Sequence, residues 1–380
     1  MKRTVIILAF LFCLTALIFP GGQQEGTPIK IGAVFAVTGG ASFLGAPEAK
    51  TAEMIVEEVN AGGGINGRPV ELIIKDSAAS PEKAISFAKQ LIEEEQVAAI
   101  IGPSTSGESM SIKDICQKAG TPLLSCAAAE TIVDPVASFV FKTPQKDSYV
   151  VRWIYSTMND LGIKKIGVVA ANTGFGNGGK AQLEKYADEF GIEIAVAETY
   201  DKAATDLTAV LTKLKAQNVE AVVNWSIVPA QSIVPKNMKQ LGMEVPLFQS
   251  HGFGNIKYVE AAGAAAEGII FPCGRLLVAD KLPDSDPQKE TLLEYKNSYE
   301  SKYGEDVSTF GGHAFDAIKI VLKAIETAGD DKEKIRETIE NLQGFPGTGG
   351  VFNFTPADHN GLDMDSIIML TVKNGEFEIY

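Results

Sequence analysis

The segments Lys30-Ile31-Gly32-Ala33-Val34 and Lys165-Ile166-Gly167-Val168-Val169 are near-copies of each other, and they decide the fold. Each opens a series in which short apolar runs rich in β-branched residues alternate with stretches of helical periodicity. Continuous apolar strands separated by helices pair in parallel and are covered on both faces. The sequence therefore predicts an α/β protein with two similar open parallel-sheet lobes.

The two series of predicted elements follow the same order. In the first, we predict strands at 29–37, 70–75, 97–101 and 122–126, with helices at 47–60, 81–95 and 107–118. In the second, we predict strands at 164–171, 192–200, 221–225 and 246–249, with helices at 179–190, 207–215 and 230–241. Two helices within 291–342, joined near Gly329, and strands near 350–354 and 367–372 must complete these sheets, so we expect repeated crossings between the lobes.

The composition excludes several classes of protein. A length of 380 residues predicts about two domains. With 45% hydrophobic and 22% charged residues, the chain is neither disordered, fibrous nor a polytopic membrane protein. The formal net charge of −14 repels phosphate, so we expect no nucleic-acid partner. The histidines, His251, His313 and His359, lack partners at metal-ligand spacing, so we expect no metal and no cofactor.

The first residues read as an export signal. Lys2 and Arg3 precede an apolar run at 5–19, which is shorter than the roughly 20 residues of a membrane span. We predict a signal peptide at 1–22 and a periplasmic or other extracytoplasmic location, with an uncleaved anchor as the alternative. The residues before Cys13 do not resemble a lipoprotein processing box, so a lipid anchor is not supported.

The three remaining cysteines, Cys116, Cys126 and Cys273, argue against a disulfide framework because their number is odd. We expect buried small apolar side chains, with a single Cys116–Cys126 bridge left open.

Six loops at predicted strand ends indicate a ligand cleft, because ligands of open α/β sheets bind at the carboxyl ends of the strands. The loops are 38–45, 102–107 and 125–130 in the first series and 172–178, 225–229 and 250–254 in the second. All are rich in Gly, Ser, Thr or Asn, which allows close backbone approach and hydrogen bonding.

The loop Gly102-Pro103-Ser104-Thr105-Ser106-Gly107 runs from a buried strand into a helix. Free N–H groups at the helix start, beside the hydroxyls of Thr105 and Ser106, predict a site for a carboxylate or other small anion. Such a site needs neither Lys nor Arg. The alternative is simple N-capping of the helix by Ser106.

A glycine-rich loop at 174–180 matches the phosphate-loop spacing, but Ala181 replaces the Ser or Thr that would hold magnesium. We favour the interpretation that this glycine-rich loop forms the rim of the cleft and lets the side chain of Phe175 enter it. Phe43, Phe175, Trp225 and Phe253 all fall in cleft loops and predict an apolar ligand body.

His251 ends a predicted strand inside a cleft loop and is a candidate ligand contact. Ser106 and His251 could belong to a hydrolytic triad only with an acid. However, Ser106 lacks the G-x-S-x-G elbow and no motif places an acid beside His251, so we predict that the protein is not an enzyme.

Nearly the whole mature chain resembles the leucine/isoleucine/valine-binding family of ABC-importer solute receptors. The matching segments are 31–39, 60–68 (N-x-x-G-G-x-N-G), 101–106, 282–287, 308–313 and 344–361. The resemblance implies a type I periplasmic-binding fold, with two lobes joined by three crossovers and a ligand in the hinge cleft. It implies lobe 1 at 27–142 plus 279–351 and lobe 2 at 143–278 plus 352–380.

The resemblance also implies a function. The Ser104 backbone and the Ser106 hydroxyl would hold a ligand carboxylate, and Ala127, Ala128 and Ala129 would form the adjacent wall. The protein would be a monomer that closes on a small carboxylate and delivers it to a membrane permease. A ligand-sensing receptor module is the alternative, and an amidase or esterase a more remote one.

Departures from the family pattern concern the ligand. Relatives that bind amino acids place a hydroxyl where Ala129 stands, tyrosines where Leu44, Phe175 and Ile227 stand, and an acid where His251 stands. Some members of the family also bridge a cysteine pair in lobe 1, and Ala79 and Thr105 stand at the corresponding positions here. A buried ammonium without a carboxylate partner is costly. An amine-free aromatic, keto or fatty acid therefore fits His251 and the aromatic lining, and it stands beside an amino acid as a ligand class for this site.

Overall fold

The computed structural model describes residues 26–380, so the predicted signal peptide and Cys13 lie outside the described residues. The described chain forms two α/β lobes, each built on one sheet, as the sequence predicts. No helix in residues 26–380 combines the length and the apolar character that a bilayer crossing requires.

Lobe 1 contains a five-stranded parallel sheet. Its strands are β1 (Ile29–Phe35), β2 (Val70–Asp76), β3 (Ala99–Ile101), β4 (Leu123–Ser125) and β5 (Val140–Lys142), in the order β2-β1-β3-β4-β5. Helices α1 (Ser42–Ala61), α2 (Pro81–Lys89) and α3 (Ser106–Ala119) connect them. The short strand β5 was not predicted.

The start of α3 differs from the expected one. Thr105, and not Ser106, is the N-cap: Thr105 Oγ1 accepts a hydrogen bond from the N–H of Glu108 at 3.4 Å. Ser106 is the first helical residue. The alternative interpretation of Ser106 as the N-cap is therefore wrong, and its hydroxyl is not used by the helix end.

Lobe 2 contains a seven-stranded sheet in the order β14-β13-β10-β9-β8-β6-β7. Its strands are β6 (Lys165–Ala171), β7 (Glu193–Tyr200), β8 (Ala221–Trp225), β9 (Leu247–Gln249), β10 (Ile270–Cys273), β13 (Ile368–Lys373) and β14 (Glu376–Ile379). Between β10 and β13 in the chain, β11 (Phe345–Pro346) and β12 (Val351–Phe352) form a separate two-stranded hairpin. Only β13 and β14 run antiparallel to their neighbours. Its helices are α4 (Asp147–Asp160), α5 (Gly174–Phe190), α6 (Thr208–Ala216), α7 (Ile233–Gln240) and α8 (Ile256–Ala262).

The chain crosses between the lobes three times, after β5, after β10 and after β12. Following β10 it returns to lobe 1 as α9 (Lys289–Tyr303), α10 (Thr309–Ala328) and α11 (Lys332–Glu340). The sequence predicted two helices here. Gly304, in the left-handed region at φ 63°, ends α9 and separates it from α10. The residue boundaries of the lobes, 27–142 plus 279–351 and 143–278 plus 352–380, stay a prediction.

The cysteines of the described chain, Cys116, Cys126 and Cys273, are buried free thiols, so the Cys116–Cys126 bridge left open by the sequence is not formed. Burial raises the pKa of each thiol. They are packing residues.

Candidate functional site

The carboxyl ends of the two sheets face each other across a closed interface. Asn255 of lobe 2 donates from Nδ2 to the carbonyl of Phe43 in lobe 1 at 3.0 Å. The N–H of Thr309 in lobe 1 donates to the carbonyl of Gly254 at 3.0 Å. A Cβ on Gly174 would lie 3.0 Å from the nitrogen of Gly107 on the opposite lobe. The lobes therefore touch on both sides of the space between them.

A small cavity, called here the inner cavity, lies between the lobes. Its lining residues are Leu44, Ser104, Ser106, Cys126, Ala127, Ala128, Pro144, Phe175, Ile227, His251, Gly252, Phe310 and His313. The volume is about 20 Å³, room for about one water molecule, so any larger ligand requires the walls to move. Most of the residues predicted as ligand contacts meet here: Ser104, Ser106, Ala127, Ala128, Phe175, Ile227 and His251.

The remaining predicted residues lie elsewhere. Phe43 packs edge-on against Tyr258, with 5.4 Å between ring centroids. Phe253 belongs to the core of lobe 2, where it contacts Phe271 and Phe377. The helical turn at His251–Phe253 directs its two ends to different surroundings, so His251 lines the cavity and Phe253 does not.

Thr105, Ala129 and Trp225 are outside the lining of the inner cavity. Thr105 caps α3, and the N–H of Ala129 donates to Ser106 Oγ at 3.2 Å. Trp225 is fully buried and packs edge-on against the ring of His251 at 5.8 Å. Ala129 and Trp225 therefore support the wall of the inner cavity from behind, whereas Thr105 lines a wider cleft beside it.

Ser106 presents a hydroxyl whose proton is free. Its Oγ accepts the Ala129 N–H, and within residues 26–380 no group accepts a hydrogen bond from it. The side chain is 2% exposed. A buried hydroxyl with an unused proton is a suitable donor to a carboxylate, and hydrogen bonds to charged groups are the strong ones.

Ser104, beside it, is engaged differently. Its Oγ accepts the N–H of Ala36 at 2.9 Å and forms a hydrogen bond with Glu48 Oε2. Glu48, on α1, is completely buried, and burial raises the pKa of its carboxyl well above the usual range. Nothing in the sequence marked Glu48, because it lies inside a helix whose burial is set by packing.

His251 is held by aromatic edges and lies close to an acid. The ring of Phe175 lies 5.3 Å away at 71°. Asp147 Oδ1, at the start of α4, lies 3.8 Å from His251 Nε2, and both side chains are at most 4% exposed. Burial, aided by the charge of Lys142, lowers the pKa of His251 well below its usual value, so the ring is neutral. The sequence offered no motif that would locate Asp147.

A buried cation lies behind the Ala128 wall. Lys142, the last residue of β5, donates from Nζ to the carbonyls of Ala128, Pro144 and Gln145 at 2.7, 3.0 and 2.9 Å. Burial lowers the pKa of Lys142 and raises that of Asp147, while their mutual attraction opposes both changes. The expected anion site thus has a lysine behind its backbone wall, and no sign of it is visible in the sequence.

A wider outer cleft adjoins the inner cavity. It measures about 810 Å³ and shares Ser106, Phe175 and Ile227 with the inner cavity. Its walls come from both lobes, including Ala78 and Pro81 of lobe 1 and Pro229 and Ile233 of lobe 2. Phe175 and Ile227 therefore stand between the two spaces.

The glycine-rich loop serves packing. Thr173 caps α5 by accepting the N–H of Gly176 at 3.1 Å. A Cβ on Gly179 would lie 2.0 Å from Cε2 of Trp225, so the indole rests directly on the helix backbone. This close approach explains the glycine without a phosphate. Across residues 26–380, no cluster of three or more His, Cys, Asp or Glu residues could hold a metal ion.

Comparison with known proteins gives consistent matches. A family model described as periplasmic binding protein matches residues 28–376. The leucine-, isoleucine-, valine-, threonine-, and alanine-binding protein of Pseudomonas aeruginosa is 26% identical over 100% of this chain and 97% of its own.

Two solved structures extend the comparison. An extracellular ligand-binding receptor from Rhodopseudomonas palustris superposes with a TM-score of 0.88 and 26% identity, covering 93% of this chain and 99% of the other. The substrate-binding protein LivJ of Streptococcus pneumoniae, solved with isoleucine, gives 0.82 and 27% identity, covering 92% and 98%.

Proposed function

Because the chain belongs to the periplasmic binding protein family, we propose that it is the exported solute-binding protein of an ABC importer of the branched-chain amino acid type. It captures a small carboxylate between its lobes and delivers it to a membrane permease. The observation that carries this proposal is the Ser106 hydroxyl, which faces an interlobe cavity with its proton unused.

The carboxylate of the ligand binds to lobe 1. Ser106 donates its hydroxyl proton, and the Ser104 N–H, which has no acceptor within residues 26–380, is a second donor. Ala127 and Ala128 bring backbone close to the ligand, since their side chains are small. The Lys142 ammonium behind Ala128 adds positive potential at this end.

The other end of the ligand meets lobe 2. Phe175 and Ile227 offer apolar surface, and neutral His251 offers a ring nitrogen, since neither Nδ1 nor Nε2 has a hydrogen-bond partner among the described residues. Asp147, 3.8 Å from Nε2, places a carboxylate within reach of the same ring. The relatives named for Leu, Ile and Val support an amino acid, and the absence of an acid at position 251 supports an amine-free aromatic or keto acid. Both remain ligands to test.

The permease would recognise the ligand-bound protein by the closure of its two lobes. The ligand contacts Ser106 on one lobe and His251 on the other, so it stabilises the closed form relative to the open one. The contacts Asn255–Phe43 and Thr309–Gly254 exist only when the lobes meet. A sensory receptor would share these steps and differ in its partner. A hydrolase is disfavoured, since Ser106 bonds to the Ala129 N–H and not to His251.

A thermal-shift panel tests the proposal. It contains L-leucine, L-valine, 4-methyl-2-oxopentanoate, phenylpyruvate and benzoate, each beside its primary amide, which lacks the carboxylate charge. We expect at least one free acid to raise the melting temperature and its amide to have no effect. No shift with any acid, or turnover of an ester or amide, would contradict the proposal.

A further inference from the structure

The hydroxyl of Ser104 lies in the cavity wall between two fixed neighbours. Its Oγ accepts the N–H of Ala36 at 2.9 Å and shares a hydrogen bond with Glu48 Oε2. A hydroxyl has one proton to donate and two lone pairs that accept. The direction of the Ser104–Glu48 bond therefore decides whether Ser104 has a proton left for the cavity.

The surroundings of Glu48 favour its neutral form. The carboxyl is fully buried, and its second oxygen, Oε1, has no partner in residues 26–380. The charged group that acts on it is another acid, Glu108 on α3. The buried thiol of Cys126 is also close enough for the charge of Glu48 to act on it. Among the described residues, the contact that would stabilise a negative charge is the hydrogen bond to Ser104, and burial outweighs its effect on the pKa of Glu48.

We propose that Glu48 keeps its proton and donates it to Ser104 Oγ, which makes Ser104 a second hydroxyl donor, beside Ser106, to the ligand carboxylate. Oγ then accepts from both Ala36 and Glu48, so its own proton must point away from both. An ionised Glu48 would instead take that proton and set a like charge beside the ligand. Glu48 is thus a positioning residue, and this inference rests on the proposed function.

Two substitutions separate this role from mere packing. Glu48→Gln keeps a donor to Ser104 and cannot ionise, while Glu48→Leu has a similar size and no donor. We titrate both, and the wild type, with L-leucine and 4-methyl-2-oxopentanoate by calorimetry at pH 6. For the acid that binds, we expect the Gln variant to lie within about threefold of wild type and the Leu variant to bind about tenfold more weakly. Equal affinities of the two variants would overturn the proposal.

An infrared measurement decides the protonation state without any ligand. The difference spectrum between wild type and Glu48→Gln at pH 7 should contain the C=O band of a carboxylic acid. Carboxylate bands alone would overturn the proposal, even if Glu48→Leu fails to fold. If neither acid binds but the band is present, the proposed ligand class fails while the assignment of the proton stands.

Discussion

Asp147 Oδ1 lies 3.8 Å from His251 Nε2 inside the wall between the lobes. The two residues are far apart in the sequence, and they come together because α4 begins in lobe 2 next to the turn that follows β9. At this separation the two groups are not hydrogen-bonded, and neither ring nitrogen of His251 has a partner among the described residues. The site has no acid at position 251, but the carboxyl group of Asp147 lies directly behind the His251 ring.

The first prediction concerns the charge of Asp147. The variant Asp147→Asn keeps the shape and cannot ionise; because burial raises the pKa of Asp147 to about 7, the comparison is made at pH 8, where the wild-type carboxyl is mostly ionised. A ligand ammonium would lose electrostatic stabilisation, so the affinity for L-leucine should fall relative to that for 4-methyl-2-oxopentanoate by about tenfold. Calorimetry with the two acids measures this ratio. An unchanged ratio would show that Asp147 does not act on the amine position.

The second prediction concerns the hydroxyl of Ser106. Ser106→Ala removes a donor to the ligand carboxylate and should weaken binding by about 1–3 kcal/mol. Ser86→Ala, at an exposed site on α2, is the matched control and should bind as wild type does. Unchanged affinity of Ser106→Ala would remove Ser106 from the site.

The third prediction tests closure. A Cβ at Gly174 would meet the Gly107 nitrogen at 3.0 Å, whereas a Cβ at Gly107 meets nothing within 4 Å. Gly174→Ala should therefore disfavour the closed form and lower affinity several-fold, since ligand binding must then work against the altered equilibrium. Gly107→Ala should have no such effect. Small-angle scattering with and without ligand reports the closure, and equal compaction of both variants would contradict the account.

The fourth prediction compares neighbouring glycines of α5. Gly179→Ala forces a Cβ to 2.0 Å from Trp225 and should destabilise lobe 2 by about 1–3 kcal/mol through overpacking. Gly178→Ala meets only atoms 3.7 Å away and should raise the free energy of unfolding by up to about 1 kcal/mol. Urea unfolding distinguishes them. If the two variants were equally stable, the packing explanation of this loop would be wrong.

The fifth prediction concerns pH and stability. Burial raises the folded-state pKa of Glu48 above its unfolded value, so the folded protein holds this proton more tightly. Its contribution to stability is complete below about pH 4 and declines as the pH rises toward the folded-state pKa, by up to about 1.4 kcal/mol per pH unit. Glu48→Gln should lose less stability than wild type between pH 5 and pH 8 in urea titrations. Parallel pH profiles would contradict this.

The sequence predicted the architecture well where the signals were local. The β-branched runs that became β1 and β6 were placed almost to the residue, because a strand buried on both faces needs a continuous apolar run. The strands β5 and β10 are short, and their sequences carry no distinguishing pattern. The break between α9 and α10 depends on the left-handed Gly304, whose φ the sequence does not reveal.

Of the candidate site, only the residues that line its wall could be predicted from the sequence. Ser104, Ser106 and Ala127 follow strand ends, and topology brings such positions together. Lys142, Asp147 and Glu48 were not foreseen, because a buried charge is recognised only from its tertiary partners. The adjacent hydroxyls of Thr105 and Ser106 made the cap ambiguous, and the turn at His251–Phe253 determined which of its residues reaches the cavity.

The central claim is that a small carboxylate binds between the lobes, and calorimetry with an acid and its amide tests it most directly. The free acid that gives the largest thermal shift is titrated into the wild type, followed by its primary amide, which lacks the carboxylate charge. We predict one site per chain for the acid and affinity for the amide weaker by at least about tenfold. Equal affinity for the two, or no binding of any acid in the panel, would contradict the account.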